Sequence, residues 1–399
     1  MADRKHAEAI RGHIHQIAEL IGPRGSTGTN ERRAGIYVLS VLKKLGLDRV
    51  GLEEFRGHPS TYQSYILAFL AALAGASAAW LFPDWRGFIL VVMGAFPGAG
   101  GMLTETNLDS SWMRKVLPRR KTQNVVGVLP AKKDAKNKVV LCAHLDTHRT
   151  PIFYSSRAWN NLFSLLVSAA FLSMAASILI GFVGLISGWL VLREVMFLPM
   201  AFELFALLLC LQAEFTPFTP GANDNASGVG VCLALAEELQ DHPLKQTEIW
   251  FAFTDCEETG CDGMKHFLNE HGSELGENAV FLILDEVGNS SIRYLSADGL
   301  IVKHPTHPKA LELIQEAKTS LPAISIESKV GQAYTDALVA TKVDKIALTL
   351  VSLPRDPNEA GHWHQMSDTM KHLDLKSLEN VRIITRQLLT IIDGQVIEN

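Results

Sequence analysis

Residues 220–255, PGANDNASGVGVCLALAEELQDHPLKQTEIWFAFTD, pass from a turn of small residues through one helix into one strand. GVGVCLALAEELQ reads as the helix, and TEIWFAFTD reads as a strand buried along its length. The same grammar continues downstream. GCDGMKHFLNEH reads as a helix and AVFLILDEVG as a strand; IRYLSADG, PKALELIQEAK, ALVATKV, KIALTLVSL and a final helix from about Leu375 to Asp393 follow. Upstream, NVVGVLP and KVVLCAHLD read as two strands joined by the polar turn AKKDAKNK. Residues 1–56 read as helix, turn, helix, strand, with Ile10, Ile14, Ile17, Leu20 and Ile21 on one side of the first helix. Strands alternating with helices predict an α/β fold, with a mainly parallel mixed sheet covered by helices on both faces.

The chain has 399 residues, 20% of them charged, and a mean hydropathy of +0.13, more apolar than an ordinary soluble enzyme. The excess sits in long uncharged runs. Tyr65 to Phe82 has the length of a bilayer span, and Gly87 to Leu103 forms a second, Gly-rich run that holds Pro97 and reads as the weakest span, with an interfacial or re-entrant segment as the alternative. No charge occurs between Arg157 and Arg193, a run long enough to predict strong tilt or a break near Gly181, Gly184 or Gly188. Val195 to Ala213 is the fourth run, and it contains Glu203, which reads either as a functional or paired intramembrane carboxylate or, if the helix starts near Pro199, as a carboxylate close to the membrane interface. Residues 57–122 and 150–219 therefore read as two membrane hairpins looped out of one catalytic domain, which comprises 1–56, 123–149 and 220–399.

Each hairpin must return the chain to the side it left, so four spans are expected. Arg56, Arg114, Lys115, Arg119, Arg120, Lys121, Arg149 and Arg157 lie on the catalytic side of the hairpins, and only Arg86 and Arg193 lie in the far turns. This asymmetry predicts a multi-pass protein whose catalytic domain faces the cytoplasm. Five cysteines without framework spacing agree with a reducing compartment, and the N-terminus reads as an amphipathic helix rather than a secretory signal. A net charge of -5 with no dense basic tract excludes nucleic acid as an expected partner.

Five motifs carry candidate chemistry. His144 and Asp146 follow a buried strand in VVLCAHLDTH, where α/β sheets place their ligands. Asp224 lies in GANDNASG, where small neighbours let one carboxylate approach two cations and the following helix N-terminus favours an anion. Glu257 and Glu258 are adjacent after a strand, so one can bind a metal while the other stays free as a base. Asp285 ends an apolar strand that has no other use for a carboxylate, and Glu286 follows it. His364 lies in HWHQMSDT, with His362 as the competing imidazole and Asp368 placed to support His364 or cap the next helix. A zinc site at Cys256 and Cys261 has poor support, since no further Cys or His stands nearby.

Taken together, AHLDTH, PGANDNASG, EETG followed by Gly263, LDEVG and HQMSDT resemble the dizinc aminopeptidases of peptidase family M28, which also holds glutaminyl cyclases and glutamate carboxypeptidase. The resemblance implies a zinc exopeptidase-like α/β/α sandwich and two Zn2+ ions per chain. It implies His144 and Glu258 on one ion, Asp285 and His364 on the other, and Asp224 bridging. It further implies Glu257 as general base, Asp146 as the orienting partner of His144, and a cis peptide at Asp224–Asn225. Two Zn2+ ions balanced by three carboxylates and one hydroxide make a neutral site. The implied activity is hydrolysis of a peptide or amide bond, with aminopeptidase the leading reading. The hairpins add the expectation of a lipid bilayer as partner, an active site near its surface, and an amphipathic or membrane-delivered substrate.

Two other classes are weighed against this one. Deacylases and carboxypeptidases with related motifs insert a lid domain before their last ligand, whereas Asp285 and His364 are only 79 positions apart. A non-catalytic receptor or scaffold on a peptidase fold loses ligands, and this chain keeps all five and the base.

Overall fold

The computed structural model describes residues 2–354 and 362–398. The chain forms two compact units. One holds residues up to Pro59, Arg119–His148 and the chain from Phe218 onward; the other holds Ser60–Pro118 and Arg149–Pro217.

The first unit is built on one mixed sheet. Its strands are β1 (Asp48–Gly57), β2 (Arg120–Leu129), β3 (Asn137–His144), β4 (Thr247–Thr254), β5 (Val280–Leu284), β6 (Ser291–Asp298), β7 (His304–Pro305), β8 (Glu327–Val330) and β9 (Ile346–Leu353). Their spatial order is β1-β2-β4-β3-β5-β9-β6-β7, with β8 beside β6. The central β4-β3-β5-β9 set is parallel. The pairs β1/β2, β2/β4, β6/β9 and β6/β7 are antiparallel, which corrects the expectation of a mainly parallel sheet. Strand-helix alternation, the signature of parallel crossovers, holds at the centre and again between β6 and β8, which pair in parallel with helix Pro308–Ser320 between them. Strands β6 and β7 are too close in sequence for a crossover and close a hairpin instead.

The central strands are the expected near-continuous apolar runs, and Val139 to Ala143 and Val280 to Leu284 are buried. Each such side chain contributes about 1.5–3 kcal/mol of burial free energy. Helices Gly228–Asp241 and Leu375–Gly394 pack into the same core as Ile10, Ile14 and Ile17 of the N-terminal helix. Leu20 departs from the expected stripe and is 59% exposed. The wider π-helical stretch His15–Ile21 shifts the face it would otherwise share.

The second unit is helical. Four of its segments are long and apolar enough to cross a membrane: Tyr62–Leu81, Trp85–Thr106, Arg157–Ser187 and Leu192–Glu214. Trp85–Thr106 is one continuous helix that includes Pro97. Its glycines serve close packing. A Cβ on Gly94 would stand 2.3 Å from the Ala71 carbonyl oxygen, and one on Gly75 would stand 2.4 Å from that of Leu90. Such small-residue contacts let apolar helices approach where no hydrophobic drive holds them together. The 31-residue helix Arg157–Ser187 passes Gly181 and Gly184 without a break and stops at Gly188, where φ is +67°. Glu203 does not sit at a helix start. It is fully buried within Phe197–Glu214 and accepts a 2.8 Å hydrogen bond from Ser177.

Candidate metal centre and active site

The candidate ligands converge at the C-terminal ends of the central strands. His144 is the last residue of β3, and Asp285 follows β5 directly. The register pairs Cys142 with Ile283, so the two functional residues lie two positions further along neighbouring strands. His144 Nε2 is 3.2 Å from Asp224 Oδ1 and 3.3 Å from Asp285 Oδ1. His364 Nε2 is 3.2 Å from Asp224 Oδ2 and 3.4 Å from Glu258 Oε2. Asp224 thus turns one carboxylate oxygen to each imidazole.

This grouping differs from the pairing implied by the family resemblance. His144 stands with Asp285 rather than Glu258, and His364 stands with Glu258 rather than Asp285. Parallel adjacency of β3 and β5 is the reason. His362 is not in the cluster; its Nδ1 lies 2.8 Å from Ser367 Oγ and its ring stacks on His372.

The loop that carries Asp224 is shaped by its small residues. Gly221 has φ +61°, and a Cβ there would stand 2.3 Å from Thr147 Cγ2 and 2.4 Å from the Asp224 carbonyl oxygen. The Asp224–Asn225 peptide is cis. Asp368 accepts hydrogen bonds from the backbone N–H groups of Asn223 at 2.8 Å and Asp224 at 3.0 Å. The C-terminal helix Leu375–Gly394 is capped by Asp374 instead.

Asp146 organises the opposite side. Its Oδ1 accepts from Glu257 N and its Oδ2 from Glu258 N, both at 3.2 Å, and Ser26 Oγ donates to Oδ2 at 2.6 Å. His144 Nδ1 lies 3.1 Å from the Asp146 carbonyl oxygen and 3.4 Å from its carboxylate. Donation at Nδ1 leaves the Nε2 lone pair to face Asp224 and Asp285. Behind this layer, Thr122 Oγ1 hydrogen-bonds both Glu31 and Asp255, and Gln123 donates to Glu31 Oε1 at 2.6 Å.

The electrostatics follow from burial. Burial pushes the Glu257 and Glu258 carboxyls well above the usual range, against the pull of His144. Burial also opposes ionisation of Asp224, but hydrogen bonds from His144 and His364 overcome it and hold that carboxyl low. Burial lowers the basicity of His144, yet Asp146, Asp224 and Asp285 around it raise its pKa well above the ordinary value.

This donor set fits divalent cations. Imidazole nitrogens and carboxylate oxygens are the donors zinc takes. Glu258 Oε1 is buried without a hydrogen-bond partner among the described residues, which leaves it a lone pair for a cation. Several buried carboxylates packed together are costly unless compensating charge is present.

Three contributors were not among the candidate site residues singled out in the sequence. Ser26 and Arg24 come from the turn GPRGST, which carries no metal-ligand signature. His148 stacks on His364 with centroids 3.7 Å apart and planes at 12°, and a nitrogen of His148 comes within 4.8 Å of the donor atoms of Glu258 and His364. Nearly parallel imidazoles direct their in-plane lone pairs along separate planes. His148 therefore fits a ring support for His364 better than a second imidazole on the same ion. Its spacing in H-x-D-x-H was the one signal available in the sequence.

Residues 212–389 match the family described as Peptidase family M28. Aminopeptidase YwaD of Bacillus subtilis (strain 168) is 41% identical over 78 residues, 19% of this chain and 17% of that protein. The probable lipoprotein aminopeptidase LpqL of Mycobacterium tuberculosis is 23% identical over 191 residues, 41% of this chain and 38% of that protein. The matches thus span well under half the length of these curated relatives. Among solved structures, the zinc aminopeptidase BSAP from Bacillus subtilis aligns with a TM-score of 0.58 at 14% identity, covering 96% of this chain and 94% of its own. The glutaminyl cyclase of Tannerella forsythia aligns with a TM-score of 0.54 at 15% identity, covering 98% of each chain. At these identities the likeness establishes the fold.

Proposed function

We propose that this chain, whose residues 212–389 match Peptidase family M28, is a membrane-embedded dizinc hydrolase of peptide or amide bonds, acting as an aminopeptidase. The observation that carries this reading is the division of Asp224, whose Oδ1 faces His144 and whose Oδ2 faces His364. One carboxylate between two imidazole-carboxylate groups is the arrangement a bridging ligand needs. His144, Asp224 and Asp285 would hold one ion, and Asp224, Glu258 and His364 the other.

Bound zinc supplies Lewis-acid activation of water and of the scissile carbonyl. The protein's own residues do the rest. Glu257 takes a proton from the attacking water on its carboxylate and delivers it to the leaving amine nitrogen. Its raised proton affinity, caused by burial, suits a group that must hold that proton between the two transfers. Asp146 keeps Glu257 and Glu258 in step by binding both backbone N–H groups through one carboxylate. His144 is held by Asp146 with its Nε2 turned inward.

The aminopeptidase reading is favoured over the lid-bearing deacylase and carboxypeptidase group by how the chain is spent. Strands β6 to β9 and helix Pro308–Ser320, all between Asp285 and His364, belong to the same unit, and those strands complete its sheet. Membrane embedding is supported by the four long apolar helices and by outward apolar residues such as Leu172, Ile186 and Leu198, which are 70%, 86% and 80% exposed. The catalytic unit is assigned to the cytoplasmic side by the Lys/Arg asymmetry of the segments that flank the spans. The second insert leaves the chain just after Asp146 and returns just before Asp224. This connectivity supports an amphipathic or membrane-delivered substrate.

The test is elemental analysis of the full-length protein in nanodiscs, with a screen of aminoacyl, N-acyl and carboxy-terminal amide substrates. Two zinc ions per chain and release of an N-terminal residue are expected. Protein that is folded, supplied with zinc and still metal-free would sink the reading.

A further inference from the structure

Arg24 is fully buried, an unusual position for a guanidinium. Its side chain is spent on backbone carbonyls. Nε donates to Leu145 O at 2.8 Å, and Nη2 donates to Gly221 O at 2.8 Å. Nη1 donates to Pro220 O at 2.8 Å, Gly22 O at 3.2 Å and Ile17 O at 3.3 Å. The backbone joins in, since Arg24 N donates to Thr147 Oγ1 at 3.0 Å and Thr147 N donates to Arg24 O at 3.1 Å.

These partners fall on particular loops. Leu145 lies between His144 and Asp146. Pro220 and Gly221 open the loop that carries Asp224. The guanidinium also feels Asp368, Asp224, Asp146 and Glu258 electrostatically; burial pulls its pKa down to about 10, which leaves it cationic at neutral pH. The turn has a second contact with the site, through Ser26 and Asp146.

We propose that Arg24 is a positioning residue for the metal centre: its planar fork ties the His144–Asp146 loop to the Asp224 loop. The proposal rests on the metal-dependent function above and goes beyond it by assigning a determinant of metal affinity to a residue that touches neither metal nor substrate. A guanidinium is suited to the task because its donors are fixed in one plane and span several carbonyls at once. A lysine keeps the charge but offers a single ammonium on a flexible stem, so it cannot tie both loops in the same way.

The experiment uses full-length protein in nanodiscs as wild type, Arg24→Lys and Arg24→Gln. Each is stripped of metal, titrated with zinc against a competing chromophoric chelator, and melted with and without zinc. Both variants are expected to lose roughly 10–100-fold in zinc affinity, the usual cost of removing an outer partner of metal ligands. The rise in Tm that zinc produces should shrink in parallel. A residue that only supports the fold would lower the metal-free Tm and leave affinity and the zinc-induced rise at wild-type values; that result overturns the proposal. Should both Arg24 variants fail to fold, Thr147→Val decides, because it removes the Oγ1 that accepts from Arg24 N and so loosens the seat from which the guanidinium ties the two loops. Weakened zinc binding in that variant supports the proposal, and unchanged binding overturns it. A folded wild type that binds no zinc removes the functional reading instead, and this inference with it.

Discussion

His144 Nε2 lies 3.3 Å from Asp285 Oδ1, at the ends of two neighbouring parallel strands. No element separates the two side chains, and the proposed function gives them a shared cation. Asp285→Asn removes the charge and one lone-pair site at that position while keeping the shape. Zinc content should fall from two ions per chain toward one, with hydrolysis strongly reduced and the ion at Asp224, Glu258 and His364 retained. Elemental analysis of dialysed protein checks this, and full retention of both ions would place Asp285 outside the ligand set.

Glu257 carries a different role from its neighbour. Glu257→Gln keeps the size and the backbone N–H that binds Asp146. It should leave zinc content and Tm near wild type and lower kcat by roughly 10²–10⁴-fold, the usual contribution of a positioned general base. Glu258→Gln should instead lose metal. Equal metal loss in both variants would show that the two glutamates do not divide the labour.

Ser26 donates a 2.6 Å hydrogen bond to Asp146 Oδ2, the oxygen that also accepts from Glu258 N. A hydrogen bond to a charged group is worth about 1.5–3 kcal/mol. Ser26→Ala should therefore reduce kcat/KM by roughly 10–100-fold, with substrate KM little changed. Unaltered kinetics would mean that the backbone N–H groups alone fix Asp146.

Much of the site was legible because its residue types are out of place where they occur. Asp285 ends an apolar strand, and Asp224 interrupts a run of Gly, Ala, Asn and Ser. Which candidate ligands stand together was not legible, because that depends on β3 lying beside β5, and strand neighbours are set by the sheet as a whole. Arg24 and Ser26 were invisible for a related reason. A Gly-rich turn reads as surface loop, and nothing in one dimension shows an arginine turning inward to meet carbonyls about 120 and 200 positions away. The fold was clearest at its centre, where alternation of strand and helix is regular, and least clear at β6 to β8. In the helical unit, Gly87 to Leu103 looked weak as a span because glycine lowers helix propensity, whereas Gly87, Gly94 and Gly98 are contact points for a second helix.

That contact gives a test confined to the helical unit. Gly94 approaches the Ala71 carbonyl so closely that any side chain must push the two helices apart. Gly94→Leu is expected to destabilise this helix pair by more than the roughly 1–3 kcal/mol of ordinary overpacking, since the obstacle is backbone. Gly100→Leu, where a Cβ would meet nothing within 4 Å, is the control and should be tolerated. Protease susceptibility of the hairpin in nanodiscs reads the difference. Equal behaviour of the two variants would contradict the close packing.

Glu31 supplies a pH test with a defined sign. It is buried, and burial raises its pKa from the usual 4.5 to about 8, only partly offset by hydrogen bonds with Asp255, Thr122 and Gln123. Below about pH 4.5 the carboxyl is protonated in both folded and unfolded chains, and its contribution to stability is fully present. Between about 4.5 and 8 the unfolded chain releases the proton while the folded chain keeps it, so stability declines as pH rises through that window. The slope from one proton cannot exceed about 1.4 kcal/mol per pH unit. Glu31→Gln cannot ionise and still offers an amide to Asp255 and a carbonyl to Thr122 and Gln123. Metal-free Glu31→Gln should therefore lose less stability than metal-free wild type between pH 5 and 8, the gap widening toward the alkaline end. Parallel Tm profiles for the two proteins would show that Glu31 is already ionised in the folded state, with Asp255 then holding the proton of the pair.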